Sequence, residues 1–149
     1  MRIFLSIFLV LTFALPALAA DGIIRVSSPH SVTATADRLV ELLESKGMTV
    51  FTRIDHAAAA QKVGIDLRPT TLVIFGNPKV GSPLMKCSQS TGLDLPQKAL
   101  ISQDEQGQVW LSYNDPSYLK DRHQIEGCDE TLKKISGALN MFASGATAK

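Results

Sequence analysis

Apolar and polar positions recur with two different periods along this chain, and the changes of period divide it into strands and helices. Ile23 to Ser28 is predicted as a short strand. After Ser31, which can cap a helix, apolar residues recur every three to four positions, which is typical of an amphipathic helix. Gly47 is placed to end that helix, and Met48 to Ile54 alternates loosely and is predicted as a second strand.

The segment from Thr70 to Met85, TTLVIFGNPKVGSPLM, contains the most apolar strand of the chain. The apolar residues of Thr70–Phe75 are continuous and do not alternate, which is typical of a strand covered on both faces. The chain has only two substantial predicted helices, so a second copy is the expected cover of one face, and a homodimer is predicted. The glycine- and proline-rich segment from Asn77 to Met85 is predicted as a shaped loop.

The remaining patterns complete an α+β fold. They predict a short helix or an ordered loop at His56–Val63 and a hairpin of Lys98–Gln103 with Val109–Tyr113. They also predict a short helix capped by Asp115, a last helix from Asp129 and a disordered tail at Ser144–Lys149. The order is strand, helix, four strands and helix, with minor helices inserted. Successive strands without crossover helices favour antiparallel pairing. The prediction is therefore an antiparallel sheet packed by two long helices.

The N-terminal residues have the layout of a secretory signal peptide. Arg2 precedes an apolar run that Pro16 ends, and Ala17-Leu18-Ala19 is a small-residue cleavage site. Residues 1–19 are therefore predicted as a signal peptide and residues 20–143 as a single domain, in the periplasm or secreted, with no stable membrane anchor after cleavage. An uncleaved membrane anchor is the alternative.

Charge limits the classes of partner, and the cysteine content allows a disulfide. Removal of Arg2 would leave equal numbers of basic and acidic residues, which argues against nucleic acid or an anionic membrane as the main partner. An oxidising compartment allows a disulfide between Cys87 and Cys128. Two free thiols, or one reactive thiol at Cys87, are the alternatives.

Several polar residues stand where strands end. His56 follows Asp55, and it either acts as a base or ligand or hydrogen-bonds the next turn. Asn77 either shapes a tight connection or forms a pocket rim, and Asp94 is a turn former or a pocket carboxylate. His123 follows a polar helix and is expected to face solvent.

The favoured function is a small binding or accessory module without a cofactor, which takes a small ligand or a protein partner. Its site is predicted where the ends of the second and third strands meet the Asn77–Met85 segment. The predicted binding residues are His56, Asn77, Met85, Asp94 and Tyr113.

Two other functions stay open. Met85 and Cys87, with His56 or His123, are soft ligands for a copper or redox site. A hydrolase or lyase with His56 as its base is the other, although the chain contains no nucleophile motif to accompany that histidine.

Four segments together resemble the domain-of-unknown-function 302 family: IDHAAAAQKVG, RPTTLVIFGNPKVGSPLM, GLDLPQKALI and VWLSYNDPSYL. The resemblance extends from about Ile23 to Leu139. It implies a fold related to that of the TATA-box-binding protein, but it does not imply DNA binding. It implies no established reaction or cofactor. The positions that match the motifs are His56, Gly76, Asn77, Pro78, Leu84, Met85, Asp94, Leu95, Pro96 and Tyr113. The two cysteines do not belong to those motifs.

Overall fold

The computed structural model describes residues 22–149 and places five strands in one antiparallel sheet. The strands are β1 (Ile23–Ser28), β2 (Thr49–Asp55), β3 (Thr70–Gly76), β4 (Gln97–Gln103) and β5 (Val109–Asn114). They lie in the order β1-β5-β4-β3-β2, and each neighbouring pair is antiparallel. The predicted α+β class is confirmed. The predicted signal peptide lies outside the described residues.

Within the described part of the chain, five helices accompany the sheet. They are α1 (Val32–Ser45), α2 (His56–Gln61), α3 (Pro78–Cys87), α4 (Pro116–His123) and α5 (Asp129–Ala146). A 3₁₀ segment, Gln89–Leu93, follows α3. The two long helices, α1 and α5, pack against each other and against the sheet. Among residues 22–149, no helix is both long and apolar enough to cross a membrane.

The core forms between the two long helices and one face of the sheet. Alternate residues of the central strands point to that face, as the period of two in a strand requires. On β3 these are Thr71, Val73 and Phe75, all of them buried. They pack with Leu39 and Leu43 of α1, which are also fully buried.

The other face of β3 is only partly covered. Leu72 and Ile74 point away from the helices and are half-buried within the single chain, so the expected cover of this face by a second copy stays a prediction. Their burial comes from neighbouring strands, since Leu72 lies between Ile54 of β2 and Leu100 of β4. The homodimer that was inferred from this strand stays a prediction.

The segment after β3 is a helix and not the predicted loop. Asn77 caps α3, because its side-chain Oδ1 accepts a hydrogen bond from the backbone N–H of Lys79 at 2.9 Å. Pro78 occupies the first turn, where a missing N–H costs nothing. Leu84 lies one turn after Val80 and is fully buried. The same Asn-Pro pair therefore begins a helix here, and the burial of Leu84 stabilises it.

The last helix continues through the first half of the predicted disordered tail. It runs to Ala146, which is fully buried. Gly145 packs closely on α1, since a Cβ there would lie 2.6 Å from Leu42 Cδ2. Arg38 Nε of α1 donates a hydrogen bond to the carbonyl of Ala146 at 2.9 Å. Docking against α1 thus orders a segment whose composition alone suggests a loose end.

Candidate functional site

A cavity of about 480 Å³ opens at the edge of the core where β3 ends and β4 begins. Phe75 and Gln97, which face each other across those two strands, contribute to its floor. One wall is α3 and the opposite wall is α5, with Met85 on the first and Phe142 on the second. The cavity therefore lies between two helices that the sheet supports, a common position for a ligand site.

The cavity exists because several side chains around it are small. Gly76, Gly81 and Gly92 line it together with Ala138 of α5. Each of these positions gives up volume that a larger residue would occupy. The remaining lining is mostly aliphatic, aromatic and thioether, so the interior suits an apolar molecule.

Among the described residues, Gln97 has a buried side-chain donor whose hydrogen bond the fold leaves unmade. It is 9% exposed, and it lines the cavity from the first position of β4. Its side-chain Nε2 is buried and has no hydrogen-bond partner among the described residues. A buried donor without an acceptor costs about 1–3 kcal/mol, so this amide lowers the stability of the fold as it stands.

Lys134 of α5 is the charged member of the described lining, and it is exposed at the mouth. Ser82 and Asn77 are the other polar lining residues. An ammonium at the mouth of an otherwise neutral, apolar cavity favours a ligand whose outer end is negative. The polar groups are thus few and distributed between floor and mouth.

Two of the predicted binding residues, Asn77 and Met85, lie in this cavity. Asn77 Oδ1 is already engaged in capping α3, and its Nδ2 donates to the carbonyl of Gly47 at 3.4 Å. Met85 is half-buried, and its Sδ lies 3.5 Å from the position of a Cβ at Gly92. Met85 therefore contributes packing surface to the cavity wall, while Asn77 shapes the rim.

The structure does not bring His56 to this site. Asp55, at the end of β2, pairs with Thr71, whereas Thr49 at the start of β2 pairs with Gly76. His56 therefore lies at the opposite end of β3 from Asn77, about 20 Å away by the rise of an extended strand. The predicted convergence of His56 with Met85 is wrong, because antiparallel neighbours do not end at the same edge of a sheet.

Asp94 lies beside the cavity but faces another partner. Its Oδ2 accepts a hydrogen bond from His123 Nε2 at 2.5 Å, and Arg122 Nε lies 3.4 Å away. The His123 side chain is only 4% exposed, so the expectation that it faces solvent is wrong. His123 ends α4, and packing of α4 against the 3₁₀ segment buries the ring.

Tyr113 is a core residue of β5 and does not line the cavity. It is 5% exposed and pairs with Ile24 and Ala99 on the neighbouring strands. Burial, together with the nearby charge of Asp115, raises the pKa of Tyr113 above its ordinary value of 10.0. The fold thus favours the neutral phenol.

This raised pKa predicts an alkaline stability profile. Because the folded-state pKa of Tyr113 exceeds the unfolded one, its contribution is complete below about pH 10 and is lost as the pH rises through the folded-state pKa. We expect the free energy of unfolding of Tyr113→Phe to fall less steeply than that of the wild type as the pH rises through this range. Urea denaturation of both proteins across alkaline pH measures this, and parallel profiles would contradict it.

The two cysteines are joined, as the sequence allowed. Cys87 at the end of α3 forms a disulfide with Cys128, immediately before α5. A disulfide sulfur is not available as a thiolate ligand, so the copper hypothesis loses Cys87 in this state. Residues 22–149 also contain no group of three or more His, Cys, Asp or Glu side chains arranged for a metal ion.

Sequence reasoning missed Gln97 and Lys134. Nothing in the sequence around Gln97 marks its amide as buried and unpaired, since that depends on what packs over β4. Lys134 is one of two adjacent lysines on a helix, and only the packing position of α5 places it, rather than Lys133, in the cavity lining. The small residues Gly76, Gly81 and Gly92 were the one available signal of a cavity.

The fold occurs in a solved structure. The chain is similar to the crystal structure of a conserved DUF302 protein from Bacillus stearothermophilus, with a TM-score of 0.77 and 20% sequence identity. The match covers 85% of this chain and 99% of the other. At this identity the likeness establishes the fold alone.

Curated relatives match more closely in sequence. The chain is 43% identical over 129 residues to Fluoride-specific ion channel FluC 1 of Brucella suis biovar 1 (strain 1330), covering 84% of this chain and 51% of that protein. Fluoride-specific ion channel FluC 2 of Brucella melitensis biotype 1 (strain ATCC 23456 / CCUG 17765 / NCTC 10094 / 16M) matches at the same identity, over 84% of this chain and 48% of its own length. The chain therefore spans about half the length of these relatives.

The family model matches nearly all of the described fold. The model for the domain of unknown function DUF302 matches residues 24–142, which run from β1 to the last turns of α5 and include both walls of the cavity. This chain therefore belongs to the DUF302 family.

Proposed function

We propose that this protein is an exported binding module that holds an apolar small molecule in the cavity between α3 and α5. The observation that carries the proposal is the cavity itself, whose lining is mostly apolar and includes one residue, Gln97, whose buried Nε2 has no partner among the described residues. A volume of about 480 Å³ is in the range of small-molecule sites. Export rests on the signal-peptide pattern of the N-terminal residues.

The lining defines the chemical class of the ligand. Its body is apolar, since the walls contribute Ile135, Leu139 and Phe142 from α5 and Val80 from α3. It carries a hydrogen-bond acceptor for Gln97 and tolerates a negative group near Lys134. An aromatic or aliphatic acid fits this description.

Fluoride is a poorer fit to the cavity, although the curated relatives are named for it. A small, strongly hydrated anion needs several donors to replace its water. The described lining supplies mainly carbon and sulfur surfaces, with a single unpaired amide in the interior. We propose that the cavity binds an apolar ligand and not fluoride.

Filling the cavity tests the site. We expect Ala138→Trp to weaken binding of the fluorescent probe 1-anilinonaphthalene-8-sulfonate at least about tenfold, since the indole would occupy ligand volume. Fluorescence titration measures the affinity. Ala59→Trp, on the exposed side of α2, is the matched control and should bind as the wild type does. Equal affinity in all three proteins would contradict the proposal.

Replacing the unpaired amide tests the role of Gln97 separately. Gln97→Leu removes the buried donor at similar volume, so we expect the unliganded protein to be as stable or up to about 1 kcal/mol more stable. Binding of the same probe should weaken by about tenfold through loss of one hydrogen bond. A less stable variant with unchanged affinity would show that the amide serves the fold instead.

A further inference from the structure

Three side chains outside the cavity form a continuous hydrogen-bonded chain. Ser90 Oγ lies 2.9 Å from His123 Nδ1, and His123 Nε2 lies 2.5 Å from Asp94 Oδ2. Ser90 and Asp94 belong to the 3₁₀ segment and its end, while His123 comes from α4. Ser90 is exposed, the Asp94 side chain is 16% exposed and the His123 side chain is 4% exposed. The order is therefore an accessible hydroxyl, a buried imidazole and a shielded carboxylate.

Counting the protons assigns the direction of these bonds. An ionised carboxylate only accepts hydrogen bonds, so His123 Nε2 carries the proton that it donates to Asp94. In the neutral ring, Nδ1 is then the nitrogen with the free lone pair, and the Ser90 hydroxyl is in position to donate to it.

Ser88 supports this direction. Its hydroxyl donates to the carbonyl of His123 at 2.9 Å, which uses its single hydrogen and ties the 3₁₀ segment to the end of α4. Ser88 Oγ also lies 3.1 Å from Ser90 Oγ and can there only accept. The Ser90 hydrogen thus has two acceptors in reach, and the imidazole nitrogen is the closer and more basic one.

We propose that Ser90 is a nucleophile for acyl transfer, with His123 as its general base and Asp94 as a positioning residue. The substrate class is small acyl donors with a good leaving group, aryl esters or thioesters. Among the described contacts of Ser90 no oxyanion-stabilising group occurs, so the leaving group must depart easily. The proposal stands on this cluster alone and does not depend on the ligand of the cavity.

The reaction balances with these groups and water. Ser90 Oγ forms a bond to the acyl carbon, and its proton moves to His123 Nδ1. The bond from the acyl carbon to the leaving oxygen or sulfur breaks, and the leaving group takes that proton. Water then attacks the acyl-serine with His123 as base, which releases the carboxylic acid and restores the hydroxyl.

Acetylation by p-nitrophenyl acetate tests the nucleophile. We expect a burst of p-nitrophenolate equal to one per chain, and intact-mass and peptide mass spectrometry should locate one acetyl group on Ser90. Ser90→Ala should lose the burst. Ser45→Ala is the matched control, since Ser45 is an exposed serine that donates only to Leu42 in its own helix, and it should retain the burst. Acetylation elsewhere, or a burst that survives Ser90→Ala, would overturn the proposal.

The tautomer of His123 tests the role of Asp94. We expect ¹⁵N NMR to find the neutral ring protonated at Nε2 in the wild type, and Asp94→Asn to shift that population. Acetylation of Ser90 should become on the order of 100-fold slower in Asp94→Asn. A ring protonated at Nδ1 in the wild type would leave no lone pair there to accept the Ser90 proton, and the proposal would be wrong.

Discussion

Phe75→Ala is expected to destabilise the protein by about 3–5 kcal/mol, among the largest single-residue effects in the fold. Phe75 is 1% exposed and belongs both to the core and to the cavity floor. Its ring meets that of Phe142 edge to face, with centroids 6.2 Å apart and planes at 81°. Truncation therefore removes core packing and an aromatic pair at the same point, and it enlarges a cavity that is already present.

Urea denaturation of the purified protein measures this effect. Phe51→Ala is the matched control, because Phe51 also lines the cavity but is 53% exposed at its mouth. We expect it to cost about 1 kcal/mol or less, since a mostly exposed side chain loses little on truncation. Equal losses in the two variants would mean that Phe75 at the cavity floor contributes no more packing than the exposed Phe51 at the mouth.

The pair also separates stability from binding. Both variants alter the lining, so both should weaken binding of an apolar probe, while only Phe75→Ala should lower the free energy of unfolding strongly. If binding followed stability in both variants, the cavity would be a packing defect rather than a site.

The element order was predictable because local signals agree with the tertiary structure. Ser31 caps α1 with its side chain, which accepts from the backbone N–H of Ala34 at 3.2 Å, and Gly47 follows that helix with a φ of +72°. Asp115 caps α4 in the same way, and Pro116 occupies the first turn. These signals act within one turn of the chain, so a sequence reading can find them.

The helix α3 was missed because its signals are ambiguous. Asn77, Pro78 and Gly81 are as common in turns as at the start of a helix, and Pro83 lies inside the helix itself. What selects the helix is burial of Leu84 against the core and the disulfide at Cys87, and both depend on residues far along the chain.

The candidate site was half predictable for a related reason. Asn77 and Met85 line the cavity, since they follow β3 directly, and their role in binding stays a prediction. The position of His56 was predicted wrongly. Antiparallel pairing of β2 and β3, which the sequence did indicate, puts the end of β2 beside the start of β3 and not beside its end. The burial of Gln97 and of His123 depends on segments that pack over them from elsewhere in the chain. No local sequence pattern encodes that packing.

Loss of the Cys87–Cys128 disulfide is expected to destabilise the protein by about 4 kcal/mol, the chain-entropy value for residues separated by 41 positions. The bond joins the end of α3 to the start of α5, and these helices are the two walls of the cavity. A Cys87→Ala/Cys128→Ala double variant should therefore unfold at lower urea concentration and bind an apolar probe more weakly.

Reduction of the wild type supplies the control for this prediction. Adding dithiothreitol should lower the free energy of unfolding of the wild type toward that of the double variant and leave the double variant unchanged. The reduced wild type keeps both sulfur atoms, so agreement between the two assigns the loss to the cross-link rather than to the truncated side chains. The prediction fails if reduction leaves the free energy of unfolding of the wild type unchanged although both thiols are shown to be free. In that case the core, and not the disulfide, fixes the distance between α3 and α5.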